Sequence, residues 1–462
     1  MSIHLGITVG MKTIIDGIPE SLVILIENLR TQLCDPAFKE RHRSHAKAFT
    51  RRRLLTFPVV MLFILQKTAR SVQRHLHEFF QMLALEASAD PVSASAWTHA
   101  RAKLKHTAFI ELNTHCLLPA IYSAASGQAP QLWRGHRLLG IDSSILRLPD
   151  FPELYEQFTP VEILCQLGST GVKYPEARMS VLYDVLNRVG VAGRLEPSSQ
   201  GEVSLAIEQL LCASAGDVLI TDRGYTGYLY LASVLQRGLH FVARCSKSSF
   251  SPAQELFRRD RAGRSRIAQV FASNSQKAEL RRLGLPLVLT IRFLSLRLST
   301  GELEVLATSL LDEKSYPTQE FQQVYGWRWN HETFYYMMKS RLDLENFSGQ
   351  TAEAIRQDFH STLLMCNLES ILGAPARALL KEASAQHQNP KLINHAGAYH
   401  AIKSHLLELL YSQIPADQVI LKLQKLFLSS PVSQRKDREV PRRKASLHRS
   451  YYFQRAVRKS VF

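Results

Sequence analysis

Three acidic residues occupy positions where a folded chain would hold carboxylates for chemistry. Asp142 follows the apolar run LLGI and Asp222 follows VLIT, so each is expected in or at the end of a buried strand. Glu332 lies in a later stretch whose pattern is helical. Such carboxylates suit Mg²⁺ or Mn²⁺, and a pair of these ions can clamp the attacking and leaving oxygens of a phosphodiester. Each aspartate alone is more often a turn former or cap, and spacing does not show that the three acids meet.

The stretch around Glu332 carries further polar residues in register with it. If YGWRWNHETFYYMMKSRLDLENFSG is one helix, Tyr325, Arg328, Glu332 and Lys339 follow one another at spacings of 3, 4 and 7 residues. At about 100° per residue they form one stripe beside an apolar stripe that would anchor the helix. An Arg328–Glu332 pair alone would be an ordinary exposed i,i+4 ion pair. The tyrosine and the lysine in the same register require another explanation.

Composition favours a polyanionic partner. The 462 residues include 57 Lys and Arg against 40 Asp and Glu, a formal net charge of +17. A soluble basic protein without such a partner remains an alternative. The sequence contains no Walker-type Gly-Lys loop, no dinucleotide-binding glycine fingerprint and no His or Cys cluster with zinc-ligand spacing. Nucleotide hydrolysis and redox chemistry are therefore disfavoured.

Cysteine usage and hydropathy predict a cytosolic protein that is not embedded in a membrane. The six cysteines form no CxxC pair, and MSIHLGITVG does not have the pattern of a secretory leader. The most apolar run, residues 57–65, is about half the length that spans a bilayer, so we expect a buried helix there.

The remaining pattern is helical, then β-rich, then helical again. The first part carries basic clusters at Lys39–Arg53 and Arg101–Lys105, which fit either a DNA-contacting module or a packing domain with a solvated basic face. From about residue 135, apolar runs ended by turn residues predict an α/β core with a β-rich inserted section. From residue 435 the tail is strongly basic, which fits a phosphate-neutralising arm or a plain solvated tail.

Three blocks of the chain resemble one known family. LLGIDSS, VLITDRGY and Y-x2-R-x3-E-x6-K followed by ENFSG are similar to the signature of bacterial insertion-sequence transposases of the DDE class. The matching branch is the fourth insertion-sequence family, and the resemblance runs from about Leu138 to Leu368. It implies that Asp142, Asp222 and Glu332 are the catalytic acids and the ligands of Mg²⁺, for which Mn²⁺ can substitute.

The resemblance also implies a fold class and a domain order. The fold would be α/β, with a ribonuclease-H-like catalytic core that carries a β-rich insertion between helical N-terminal and C-terminal regions. The expected domains are a helical DNA-end-binding region at 1–130, the core at 131–368 with its insertion at about 246–315, a helical region and candidate dimerisation element at 369–434, and a basic tail at 435–462.

The implied activity is cutting and joining of double-stranded DNA. Such enzymes bind the terminal inverted repeats of their element as a paired complex, expected here to be a homodimer. Water activated by metal cuts the DNA ends, and the freed 3′-hydroxyls attack target DNA. The expected phosphate contacts are Tyr325, Arg328, Lys339, Arg223 and Arg244.

Two other functions remain open at this stage. One is a catalytically silent or recruited transposase that binds DNA without cutting it. The other is a metal-dependent nuclease that lacks strand transfer. For each of the three, the expected location is the bacterial cytoplasm, on the nucleoid when bound to DNA.

Overall fold

A computed structural model describes residues 18–51, 53–67, 71–83, 92–123, 129–163, 172–298 and 301–434. The chain divides into two compact units. The helical unit comprises Met1–Ala129, Phe151–Leu154 and Met338–Phe462, and the sheet unit comprises Pro130–Asp150 and Tyr155–Met337. The architecture is thus mixed α/β, with one large sheet and many helices.

In the described residues up to Ser123, the helical unit contains seven short helices. They are α1 (Glu20–Cys34), α2 (Pro36–His42), α3 (Phe57–Gln66), α4 (Val72–Met82), α5 (Ala94–Arg101), α6 (Thr107–Leu112), which continues into a π-helical turn, and α7 (Pro119–Tyr122). The carboxylate of Asp35 caps α2 by accepting the backbone N–H groups of Ala37 and Phe38. Helix α3 is buried along its whole length, which confirms the expected buried apolar helix.

A nine-stranded sheet forms the sheet unit. Its strands are β1 (Leu138–Arg147), β2 (Thr159–Ile163), β3 (Val172–Asp184), β4 (Val189–Pro197), β5 (Val218–Thr221), β6 (His240–Arg244), β7 (Ser265–Phe271), β8 (Val288–Arg297) and β9 (Leu303–Thr308). Their order is β2-β3-β1-β5-β6-β9-β8-β7, with β4 paired to β3. Strands β1, β5 and β6 are parallel neighbours, while β3 and β9 run antiparallel to them.

The apolar runs that end at turn residues after about residue 135 form strands, as predicted. Six such runs form β1, β3, β5, β6, β8 and β9, and a helix at Glu202–Gln209 lies between β4 and β5. The strands β7, β8 and β9 from the predicted insertion do not form a separate sheet. They extend the main sheet beyond β6.

Seven helices accompany the strands in sequence. They are α8 (Pro152–Gln157), α9 (Glu202–Gln209), α10 (Tyr228–Gln236), α11 (Ser251–Arg259), α12 (Lys277–Arg282), α13 (Glu320–Gly326) and α14 (Trp329–Tyr336). Helix α10 connects the parallel strands β5 and β6, and such connections need a crossover element of this kind.

The stretch treated as one helix in the sequence is interrupted twice. Helix α13 ends at Gly326, and α14 begins three residues later at Trp329, with Arg328 at its N-cap position. The backbone N–H of His331 bonds to the carbonyl of Arg328 three residues back, which tightens this turn relative to an α-helix. After α14 the chain widens into a π-helical segment at Met337–Arg341. The single stripe expected from a constant 100° rotation is therefore wrong for the segment as a whole.

Five more helices and a small two-stranded sheet follow in the described part of the helical unit. They are α15 (Ala352–Leu372), α16 (Ala374–Ala383), β10 (Lys391–Leu392), α17 (His395–Ser404), α18 (Leu406–Tyr411), α19 (Ala416–Ser429) and β11 (Val432–Ser433). The 21-residue helix α15 is buried on nearly every side. Within it Asp358 forms a buried ion pair with Arg101, 2.8 Å between Oδ1 and Nη2. Arg101 is therefore part of the packing of this unit, although its cluster was a candidate DNA contact.

Two expectations concern the ends and the surroundings of the chain. Residues 338–368, which the sequence grouped with the catalytic core, lie in the helical unit. The basic tail 435–462 lies outside the described residues.

Across the described ranges no single helix is long and apolar enough to span a membrane, although α15 and α16 together, bent by 47°, meet the length and composition. The five cysteines that the structure describes are free thiols.

Candidate active site

The two aspartates lie beside each other on neighbouring strands of the sheet. Strand β1 pairs in parallel with β5 through Gly140 and Ile220, and continuing this register by two residues brings Asp142, within β1, next to Asp222, directly after β5. Each carboxylate accepts the backbone N–H of the following residue, at 2.8 Å from Ser143 and 2.7 Å from Arg223. Both side chains therefore lie just beyond the paired part of β1 and β5, and the carboxyl end of β5 is the edge where α/β sheets place their ligands.

Asp142 is electrostatically strained by its surroundings. Burial raises its pKa to about 6, against a lowering by the Ser143 N–H and by Arg328, and the nearby Asp222 and Glu202 raise it further. Glu202, at the start of α9, accepts the hydroxyl of Ser143 at 3.0 Å. A carboxylate with a raised pKa beside other carboxylates favours a cationic partner.

Glu332 is connected to the aspartates through Arg328. The guanidinium Nη2 of Arg328 donates a hydrogen bond of 2.8 Å to Oε1 of Glu332. Arg328 also interacts electrostatically with both Asp142 and Asp222. Burial lowers its pKa, but the anionic and phenolic groups around it outweigh this effect and the net shift is upward. One buried arginine therefore faces all three predicted acids.

Two polar atoms beside the acids lack partners among the described residues. Arg328 is 7% exposed and its Nε has no hydrogen-bond partner, and the hydroxyl of Tyr325, 4% exposed, has none either. The Arg328 guanidinium lies 5.5 Å from the Tyr325 ring and 5.4 Å from the Trp329 ring, which holds it by cation–π contacts. A buried polar atom without a partner is costly, so these donors fit a ligand with oxygen acceptors.

Arg244 belongs to the same edge of the sheet. Thr221 of β5 pairs with Ala243 of β6, so the next residues along, Asp222 and Arg244, are neighbours. The Nε of Arg244 lies 3.0 Å from Oε1 of the buried Glu304 on β9. The predicted phosphate contact at Arg244 thus lies next to one of the predicted catalytic acids.

The other two predicted phosphate contacts are placed differently. Arg223 is exposed in the 3₁₀ turn directly after Asp222. Lys339 lies in the π-helical segment and belongs to the helical unit, where its Nζ is 4.0 Å from a carboxylate oxygen of Glu345. Burial lowers the pKa of Lys339, although its neighbour Glu345 opposes the shift.

Two residues that position Glu332 escaped the sequence analysis. The Tyr335 hydroxyl donates to the backbone carbonyl of Asp142 at 2.6 Å and accepts the backbone N–H of Val181 at 3.0 Å. His331 is 1% exposed and stacks on the Tyr183 ring, with 5.4 Å between the ring centroids. Both side chains fix α14 against the strands β1 and β3. The local sequences around them, NHE for His331 and FYY for Tyr335, give no signal of these long-range contacts.

The donor set fits a divalent cation only in part. Asp142 and Asp222 offer oxygen ligands from neighbouring strands, and burial, with Asp222 and Glu202 nearby, raises the pKa of Asp142 to about 6. Glu332 instead binds Arg328. Within the described ranges no group of three His, Cys, Asp or Glu residues is arranged to hold one ion. To complete such a site, Glu332 would have to exchange Arg328 for the metal.

A separate basic groove lies in the helical unit. It encloses about 1230 Å³ between the loop before α3 and the start of α5. None of the described residues that line it is acidic. Its cationic and titratable lining residues are His45, Lys47, Arg51, Arg53, His99 and Lys103. Such a groove suits an extended polyanion.

Comparisons with known proteins identify the family. A family model described as "Transposase DDE domain" matches residues 133–368. The transposase InsG for insertion sequence element IS4 of Escherichia coli (strain K12) is 28% identical over 246 residues, which cover 51% of this chain and 52% of that protein. The match therefore spans about half the length of this curated relative.

A solved structure is also similar in part. It is the cryo-EM structure of a piggyBac transposase synaptic complex with hairpin DNA, matched over 96% of this chain and 84% of that chain, with 12% identity and a TM-score of 0.40. The family assignment does not depend on it. Because the transposase model covers half of the 462 residues and includes Asp142, Asp222 and Glu332, the chain belongs to the DDE transposases.

Proposed function

We propose that this chain is an insertion-sequence transposase that cuts DNA at the ends of its element and joins the freed 3′-hydroxyls to target DNA. The observation that carries this proposal is the position of Arg328, which interacts with Asp142, Asp222 and Glu332 at one edge of the sheet. A ribonuclease-H-like core is the corresponding proposal for the fold, supported by the strand order around β1.

The catalytic acids would be Asp142, Asp222 and Glu332. With Mg²⁺ or Mn²⁺ bound there, the metal would supply charge neutralisation and activation of the attacking oxygen. The chain itself contributes the neighbouring strands β1 and β5, which hold the two aspartates, and a helix, α14, that holds Glu332. Release of Arg328 from Glu332 would leave the guanidinium able to bind a phosphate oxygen at the same place.

Phosphate recognition at the site would use several donors. The hydroxyl of Tyr325 and the Nε of Arg328 are both buried without partners among the described residues, which supports an anionic phosphate oxygen as the acceptor of their hydrogen bonds. Arg223 lies in the turn after β5 and Arg244 is the last residue of β6, and both would contact the DNA backbone there. Lys339, in the π-helical segment of the helical unit, would be a further phosphate contact.

DNA ends would be held by the helical unit. The basic groove beside α5 has no acidic residue among its described lining, and the whole chain has a net charge of +17. Phosphate contacts of this kind fix the register of a protein on a duplex and make binding dependent on salt. A homodimer that pairs two DNA ends on the bacterial nucleoid completes the proposal.

Purified protein tests this function on a plasmid that carries the DNA flanking its own gene. With Mg²⁺ we expect 3′-ends at the element boundaries and products in which those ends are joined to new DNA, and with EDTA we expect neither. Cutting without joining would support a nuclease instead. Binding without cutting, with either Mg²⁺ or Mn²⁺, would support a recruited DNA-binding protein.

A further inference from the structure

Glu304 is a buried carboxylate outside the predicted catalytic set. Glu304 is 3% exposed in the strand β9, between the half-buried Leu303 and the buried Val305, on a strand with apolar residues on both faces. Burial raises the pKa of Glu304, whereas Arg244 and Arg328 lower it. Burying a carboxylate costs free energy unless a cation compensates it, so a role in this sheet is expected for it.

The cation that faces Glu304 is much more exposed than Glu304 itself. The Arg244 side chain is 35% exposed, and its Nε lies 3.0 Å from Oε1 of Glu304. In the described ranges the guanidinium has no other ion pair and no hydrogen bond. In a planar guanidinium the Nε–H and one N–H of the adjacent Nη point to the same side, so contact at Nε leaves the outer pair of Nη donors, on the next edge, available to another ligand.

The direction matters because of where Arg244 lies. It ends β6 beside Asp222 and interacts electrostatically with Tyr325. Glu304 interacts with both Asp222 and Arg328. The two arginines and the tyrosine hydroxyl therefore surround one edge of the site. Arg328 pairs with the predicted catalytic acid Glu332, whereas Arg244 pairs with Glu304, an acid outside that set.

We propose that Glu304 is a positioning residue, which holds the Arg244 guanidinium so that its paired Nη groups bind a DNA phosphate next to Asp222. This inference rests on the proposed function. A planar guanidinium with a fixed orientation binds two phosphate oxygens at once, whereas a freely rotating one loses that geometry. Glu304 acts through Arg244 and does not contact the DNA.

A packing role and a positioning role predict opposite results for an apolar replacement. Methionine has a volume close to that of glutamate and suits a buried strand. Since the partner Arg244 is partly exposed to water, Glu304→Met leaves no buried unpaired charge and removes a costly one. We therefore expect the thermal midpoint of Glu304→Met to be equal to or above that of the wild type, while the rate of DNA cleavage falls.

The experiment compares single-turnover cleavage of a terminal-repeat duplex and thermal unfolding in the full chain. Glu304→Met is expected to slow cleavage about tenfold or more, since misplacing a binding group by about 1 Å costs up to a hundredfold. Glu304→Gln, which keeps an acceptor oxygen, should fall between methionine and the wild type. In an Arg244→Gln background, Glu304→Met should have no further effect. Glu302→Gln, at an exposed position just before β9, is the matched control and should stay within about twofold.

Several outcomes would overturn the inference. They are wild-type cleavage by Glu304→Met, an equal slowing by Glu304→Met with and without Arg244, or a slowing of Glu304→Gln that is matched by a lower thermal midpoint. The Gln variant keeps the shape of the side chain and decides the question if the Met variant does not fold. If the wild type itself neither binds nor cuts terminal-repeat DNA, the proposed function fails and this inference fails with it.

Discussion

Replacing Tyr335 by phenylalanine would remove a single oxygen atom that connects the helix of Glu332 to the strand of Asp142. The hydroxyl donates to the Asp142 carbonyl at 2.6 Å and accepts the Val181 N–H at 3.0 Å, and the residue is 7% exposed. Burial, together with the negative charge of Asp142, raises the pKa of Tyr335 far above its usual value, so the hydroxyl keeps its proton and its donor role.

The expected cost follows from those two bonds. A neutral hydrogen bond contributes about 0.5–1.5 kcal/mol net, so losing both should lower local stability by about 1–3 kcal/mol. The Asp142 carbonyl retains a contact with the Ser180 hydroxyl at 3.3 Å, which favours the lower part of this range. Because α14 then has more freedom relative to β1, we also expect slower cleavage with nearly unchanged binding of DNA ends.

Amide hydrogen exchange measures the stability of β1 and β3 locally. A local measurement suits a chain of two compact units, because multidomain proteins commonly unfold in more than one transition. Peptides from β1 and β3 should exchange about 5- to 150-fold faster in Tyr335→Phe, the equivalent of about 1–3 kcal/mol. Tyr336→Phe, at a neighbouring residue that is 53% exposed, is the control and should not change them. Unchanged exchange in β1 and β3 would refute the reasoning.

Other variants test separate parts of the structure. Burial, with Arg328 nearby, lowers the pKa of His331 to about 3. Below pH 6.5 the unfolded chain therefore binds more protons than the folded chain, and the free energy of unfolding decreases as the pH is lowered. At pH 5 this costs about 2 kcal/mol, and urea unfolding of His331→Leu should lack that loss. In Gly140→Ala the new Cβ would lie 3.0 Å from the His331 ring, so we expect destabilisation of about 1–3 kcal/mol in the same assay, relieved by His331→Ala. Arg53→Ala and Lys103→Ala in the basic groove should each weaken DNA binding and reduce the salt slope by about one, and an unchanged slope would remove the groove from the interface. Deleting the tail from residue 435 should flatten the slope further if it neutralises phosphates.

The strands that carry the aspartates were predictable from the sequence because their signal is local. Runs such as LLGI and VLIT are buried on both faces of the sheet. The polar residue Asp222 marks the end of β5, whereas β1 continues past Asp142 to Arg147. Which strands are neighbours is a property of topology, so the pairing of β1 with β5 required the structure. The spacing of the three acids did not show that they meet, and their grouping in one site was an implication of the resemblance to DDE transposases. The family model supports the assignment of the chain to that class of transposases.

The helix of Glu332 shows where periodicity fails. Gly326 ends α13, the turn before α14 tightens, and the segment after it widens to a π-helix. Each change shifts the rotation per residue, so spacings of 3, 4 and 7 do not keep one face over 15 residues. Tyr325 and Arg328 are consequently buried beside the acids, whereas the sequence suggested a surface stripe.

Glu304 carried a sequence signal that was not used. In LEVLAT an acid interrupts a run that otherwise fits a strand buried on both faces, and such an acid needs a cation nearby. Identifying Arg244 as that cation requires the register of β6 with β9, where Arg244 pairs with Leu306. Tyr335 and His331 gave no comparable signal, because their partners lie about 150 to 190 residues away in sequence.

We propose that Asp142, Asp222 and Glu332 form one divalent metal site. Replacing Mg²⁺ by Fe²⁺ in the presence of ascorbate and peroxide generates hydroxyl radicals at bound iron, which cleave the polypeptide chain close to its ligands. If the three acids share one ion, we expect cuts near residues 142, 222 and 332 that excess Mg²⁺ suppresses and that Asp142→Asn abolishes together. Cuts that omit the segment around residue 332, or that persist unchanged in Asp142→Asn, would contradict it.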